Sequence, residues 1–286
     1  MIAIIGFIVV TGAVLGGFVL SGGHVGALLQ PYELLTIGGA ALGGLIVMST
    51  KKILVDLVKG CLACLKGSPF GKPAYRDLFK LMYTLLRLAR RDGLLALEAH
   101  VGKPHDSKIF HEYPRISKNH HVTDFICGAF APVLDGTVRP EQLPEMLEAE
   151  IKVIEEEHHA PLHALQKTAD ALPGFGIVAA VLGIVITMES ISGPVEEIGH
   201  HVGTALVGTF LGILMSYGFF GPLASRMELL GQEELVFFRA IASIVSGFAG
   251  DASPKVAIER ACRGIGSAVR PSRDELDKMF KEVEGA

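Results

Sequence analysis

Four stretches of the chain, about 1–20, 34–50, 171–188 and 202–222, stay apolar long enough to cross ~30 Å of hydrocarbon as helices. No Asp, Glu, Lys, Arg or His falls in their interiors. Glu33, Asp170, Glu189 and His201 stand at the edges, where headgroup water satisfies a polar side chain. Outside these runs the pattern turns amphipathic. Leu78, Leu81, Leu85 and Leu88 form an i, i+3, i+4 stripe opposite a basic face, which predicts a helix over 74–100, stopped by Gly102-Lys103-Pro104. A second helical stretch follows Pro140, carries the acidic run Glu155-Glu156-Glu157, and is expected to break or kink at Pro161. Ser272-Arg273-Asp274-Glu275 reads as a capping box opening a last amphipathic helix toward Lys281. No alternating strand pattern of useful length occurs. The predicted class is all-α: a polytopic membrane protein with four transmembrane helices and a large helical cytoplasmic domain formed by the 2–3 loop and the C-terminal segment.

Composition agrees: at 286 residues the chain is 50% hydrophobic, with a mean hydropathy of +0.44, too apolar for an ordinary soluble protein. The net charge of −4 excludes a basic nucleic-acid binder. Charge position says more than charge sum. All 26 lysines and arginines lie in 51–169 and 223–286, and none in 21–33 or 189–201. By the positive-inside rule both termini and the middle segment are cytoplasmic, with Lys51, Lys52 and Arg226 obeying it at close range. The chain thus divides into 1–50 (helices 1 and 2 with a short periplasmic loop), 51–169 (cytoplasmic), 170–222 (helices 3 and 4) and 223–286 (cytoplasmic). No positive residue precedes the first apolar run, whose length is that of a span, so it is expected to remain as a membrane helix rather than be cleaved as a signal. Cys61, Cys64, Cys127 and Cys262 are expected to be free thiols.

Small residues recur four apart in the spans: Gly12 and Gly16, Gly39 and Gly43, Ala179 and Gly183, Gly208 and Gly212, then Ser216. Such pairs let helices approach closely, serving equally for packing within one protomer or against other subunits. Pro173 and Pro222 open span three and close span four at their cytoplasmic ends. They read as helix punctuation or as a hinge pair beside a gate. Thr187, Thr204 and Thr209 supply hydroxyls, which by default bond their own helix carbonyls. A self-contained ion pump needs an intramembrane acid or histidine, and the span interiors have none, so any titrating acid must come from a partner. Cys61-x-x-Cys64 lacks a second ligand pair at zinc spacing. The pairs His120-His121, His158-His159 and His200-His201 have no companion that would make a metal site. Without a phosphate loop, nucleophile elbow or kinase signature, no enzyme, cofactor or metal is expected.

Gly22-Gly23-His24-Val25-Gly26-Ala27-Leu28 with Gln30-Pro31, then Leu172-Pro173-Gly174-Phe175-Gly176-Ile177-Val178-Ala179-Ala180, then Val207-Gly208-Thr209-Phe210-Leu211-Gly212-Ile213-Leu214 with Tyr217-Gly218-Phe219 and Pro222 closely resemble the MotA family of flagellar stator subunits. The resemblance covers nearly the whole chain. It implies a homopentamer around two MotB chains, whose membrane helix supplies the proton-accepting aspartate, with protons as coupling ion and torque delivered to the rotor protein FliG at the inner membrane. It further implies that Arg90, Glu98 and, less directly, Glu150 face FliG, and that Pro173, Pro222 and Thr209 serve the channel, with Gly176, Gly183, Gly208 and Gly212 packing its helices. Ala180 stands where sodium-driven relatives have a threonine. A methyl cannot replace an oxygen ligand for a hard cation, so protons are favoured over sodium. The rivals are a TolQ- or ExbB-like energiser, which has three spans, a sodium-driven stator subunit, and a solute transporter, which would show inverted repeats.

Overall fold

A computed structural model describes residues 2–189 and 191–285. Among these there is no strand, and four helices are long and apolar enough to span a membrane, as the apolar runs require. The chain forms two compact units, 1–67 with 157–230, and 68–156 with 231–286.

The first unit holds helix α1 (Ile2–Leu20) and, after a short 3-10 turn, α2 (Pro31–Met48) and α3 (Lys51–Lys66). Thr50 caps α3 by accepting the Ile53 N–H at 3.4 Å, satisfying one orphan donor of the first turn. Lys52 pairs with Glu157. The start of α2 lies earlier than the apolar run indicates. Pro31, fixed at a helical φ, occupies its first turn, so Glu33 is inside the helix rather than at its edge.

The second unit is built on α4 (Lys72–Asp92), α5 (Leu94–Val101), the single turns α6 (Lys108–His111) and α7 (Pro114–Ser117), and α8 (His120–Leu134). The expected single helix over 74–100 is two, because Gly93 takes φ +90°, a conformation that ends a helix at little cost only for glycine. Leu78, Leu81 and Leu85 are buried as expected, but so are Phe79, Met82, Tyr83, Leu86 and Ala89. Core wraps most of α4 and leaves a narrow polar edge.

Helix α9 (Leu143–Glu189) begins in the second unit and supplies the third span to the first. It passes Pro161 and Pro173 without interruption, so the break expected at Pro161 does not occur. Helix α10 (Val195–Ile213) leads through a π-helical segment, Leu214–Phe220, into α11 (Gly221–Ala249). In the second unit, α12 (Pro254–Arg263) and α13 (Arg273–Glu284) complete the core. Phe237 stacks on Phe70 and Tyr75 with ring centroids 5.0 and 4.9 Å away, and Phe238 on Phe125 at 4.8 Å.

The capping box at Ser272 is formed in both directions, and Glu275 also meets Lys72 at 2.8 Å. Lys72 and the Ser272 N–H hold the Glu275 carboxyl down from 4.5 to about 2. A depressed carboxylate stabilises the fold above its unfolded pKa and loses that contribution as pH falls through the folded value. Proteolytic sensitivity of α13 is therefore expected to rise between pH ~4.5 and ~2. Glu275→Gln should flatten that dependence; an unchanged acid profile would refute the assignment.

Candidate functional site

The site is a crossing of α9 on α10 in which small residues meet. Leu172, Gly176, Ala179 and Thr187 lie on the buried face of α9 with Gly183 half-buried, while Ala205, Gly208 and Gly212 form the buried stripe of α10, which Ser216 continues into the π segment. These are the positions that i, i+3, i+4 spacing places on one helix face. The backbones are nearly touching. A Cβ on Gly176 would stand 3.0 Å from the Gly208 carbonyl oxygen and 3.2 Å from the Gly212 Cα, and one on Gly183 2.8 Å from the Ala205 Cβ. One on Gly212 would stand 2.7 Å from the Leu172 carbonyl oxygen. Gly176, Gly183, Gly208 and Gly212 thus pack within the protomer, the first of the two roles that their spacing allows. Gly12, Gly16, Gly39 and Gly43 meet nothing within 4 Å and leave open faces on α1 and α2.

Pro173 sits three residues before Gly176 in α9. Pro222 enters α11 two residues after the π segment. A proline N carries no hydrogen, so a carbonyl one turn earlier loses its donor. Here the helix widens over 214–220, with the Gly221 N–H donating to the Ser216 carbonyl, an i→i+5 bond. Such insertions recur where helices do mechanical or chemical work. Phe219 in this segment packs on Phe7 of α1 at 5.3 Å.

Among the span hydroxyls, Thr11, Thr36, Thr187 and Thr204 each donate to a carbonyl four residues back, the default for a helical threonine. Thr209 makes no hydrogen bond among the described residues. Its hydroxyl is half-buried in a shallow apolar groove with Leu206, Phe210 and Ile213. Ala180 is half-buried beside Ala179 on α9.

The structure corrects one reading outright. Glu33, taken from sequence as an edge residue satisfied by headgroup water, is 7% exposed. Its Oε2 lies 2.8 Å from where a Gly208 Cβ would be, so the span bundle does contain an acid.

Three further residues lie in the second unit. Arg90 is partly committed to its own fold: Nη1 donates to Asp251 Oδ1 at 2.8 Å, Nη2 to the Ala252 carbonyl at 3.2 Å, and the guanidinium sits 5.5 Å from the Phe248 centroid. Glu98, on α5, is exposed and has no side-chain partner among the described residues. Glu150 is exposed on α9. Between Arg90 and Glu98, Leu95 is 80% exposed, an apolar side chain one turn from Glu98. The stripe reading of α4 hides it, because the Gly93 turn restarts the helical register. In the first unit Cys64 is buried and Cys61 half-buried, and burial pushes both thiols up.

Comparisons with known proteins agree with this architecture. The "Motility protein A N-terminal" family model matches residues 4–93, and the "MotA/TolQ/ExbB proton channel family" model matches residues 117–238. Motility protein A of Salmonella typhimurium is 35% identical over 99% of this chain and 96% of its own length. Chemotaxis protein LafT of Vibrio parahaemolyticus is also 35% identical, over 98% of this chain and 99% of its own. The solved MotAB structure from C. jejuni, at 22% identity, shares the fold with a TM-score of 0.77 over 95% of this chain and 98% of that one. With four spans, a glycine-on-glycine crossing of the last two and this likeness along its full length, the chain belongs to the motility protein A family and is a flagellar stator subunit.

Proposed function

We propose that the chain, as a ring of five around a MotB-type pair in the bacterial inner membrane, conducts protons and turns that flow into torque on FliG. Both termini lie in the cytoplasm on this reading, as the confinement of lysine and arginine to 51–169 and 223–286 supports. The observation that carries the proposal is the α9–α10 crossing. Two backbones at contact distance form a stiff pair, while the π segment beside Pro222 offers a place for the pair to bend. The unbonded Thr209 hydroxyl can meet a partner's acid. Ala180 offers no oxygen to a sodium ion, which favours protons. The electrical part of the driving energy is about 2.3 kcal/mol per charge per 100 mV.

Rotor contact is assigned to the exposed edge carrying Arg90, Leu95 and Glu98, with Glu150 as a further charge. Exposed ion pairs are worth about 0–1 kcal/mol, which suits contacts made and broken in every cycle. Arg90→Ala with Glu98→Ala is expected to leave assembly intact and stop rotation. Normal swimming of that double variant would remove the assignment. The whole reading is tested by co-expression with a MotB-type partner in a host lacking its own stator, recording tethered-cell rotation while the pH gradient and sodium are varied separately. Speed should follow the pH gradient and ignore sodium. A sodium requirement overturns the proton assignment and keeps the motor; no rotation by an assembled complex overturns the motor.

A further inference from the structure

Helix α2 buries one stripe, Glu33, Ile37 and Ala41, at the helical spacing of four. Ile37 and Ala41 join Leu172 and Ala179 of α9 in an apolar cluster, and Glu33 continues the same face outward. A first-turn acid ordinarily turns back to its own helix terminus, where the N–H groups and the dipole welcome it. Glu33 does not. The Gln30 N–H donates instead to the Leu28 carbonyl at 3.2 Å, and the Glu33 carboxyl makes no hydrogen bond or ion pair among the described residues. It points into the bundle, against Gly208 of α10, at whose position the Ala179 methyl of α9 also arrives. Along α10, Gly208 stands about 9 Å inside the outer end of the apolar run that starts at 202, at ~1.5 Å per residue. A carboxyl carried to that depth among carbon neighbours favours a bound proton or a cation. The contacts offered by Gly208 and Ala179 are carbon, whereas a hard cation demands several oxygens.

We propose that Glu33 is a proton-exchanging carboxyl of this chain's own membrane bundle, and that gain or loss of its proton changes how α2 seats on Gly208 and hence on the α9–α10 pair. The small side of Gly208 makes room for the carboxyl and leaves it no alternative donor. Among ionisable groups on the packed elements, α9 has none between Asp170 and Glu189, and α2 has only Tyr32, which is 82% exposed. Toward its outer end α10 carries His201 and, four residues further, Glu197, with His200 and Glu196 beside them, and His24 stands before the 3-10 turn without a side-chain cap bond to it.

Two readouts test the proposal, and only the second rests on the stator reading. Membranes containing the full chain are treated with dicyclohexylcarbodiimide, which modifies protonated carboxyls in apolar surroundings, and the peptide holding Glu33 is followed by mass spectrometry from pH 6 to 9. Modification of Glu33 that declines as pH rises, and is absent in E33Q, is expected. No modification at any pH overturns the proposal. In the rotation assay E33Q, which keeps shape and removes titration, should slow the motor by roughly tenfold or more, whereas E33D should retain measurable speed. E33Q rotating like the unaltered chain at every external pH also overturns it, returning Glu33 to packing. If E33Q fails to assemble, labelling of the unaltered chain decides. An unaltered chain that labels at Glu33 yet does not rotate with its partner counts against the stator reading and leaves the carboxyl site standing.

Discussion

Gly212→Val is expected to abolish swimming in a host that depends on this chain. The first added carbon would stand 2.7 Å from the Leu172 carbonyl oxygen and 2.9 Å from the Gly176 Cα, and both belong to the backbone of α9. No rotamer change can relieve that contact, so the helices must part. Overpacking usually costs about 1–3 kcal/mol when side chains can yield, and here the yielding group is main chain. The loss should appear as failure of torque or of assembly with the partner. Gly212→Ala should be milder in degree and identical in kind. Full motility in the valine variant would show that the crossing is looser than its distances state.

Phe237→Ala should be the most damaging single change in the second unit. Phe237 is fully buried and its ring stacks on both Phe70 and Tyr75, joining the start of α4 to α11. Removing such a ring costs about 3–5 kcal/mol through lost transfer energy and the cavity that remains, a large share of the stability of an ordinary domain. The unit that carries Arg90, Leu95 and Glu98 would then open in a measurable fraction of molecules. Pulse proteolysis of membranes should detect cleavage at several-fold lower denaturant for the variant than for the unaltered chain. Equal resistance would mean that the aromatic cluster relaxes around the gap.

The mutual arrangement of small residues was visible as spacing before it was visible as contact. Gly208 and Gly212 on α10, with Ala179 and Gly183 on α9, recur at four residues, and the structure puts them into one crossing. Arg90, Glu98 and Glu150 could be singled out only by resemblance, because an exposed charge on an amphipathic helix looks like its neighbours. What Arg90 also does at home, gripping Asp251, the Ala252 carbonyl and the face of Phe248, depends on residues more than 150 positions away. No local pattern announces such a contact.

Spans, the segregation of basic residues along the chain and the capping box at Ser272 were determined by the sequence alone, since each rests on an interaction between a residue and its solvent or its close neighbours in the chain. Hydrocarbon thickness sets the length of an apolar run, and a cap needs only three residues' separation. The continuity of α9 through Pro161, the split of α4 from α5 at Gly93, the π segment ahead of Pro222 and the burial of Glu33 were decided by tertiary structure. In each, a local preference is opposed or permitted by what packs against it. A proline is tolerated where the helix around it is held, and an acid is carried inward when the stripe it heads, Glu33-Ile37-Ala41, is drawn onto Gly208 and Ala179. Packing partners far apart in the sequence make that choice, and periodicity cannot name them.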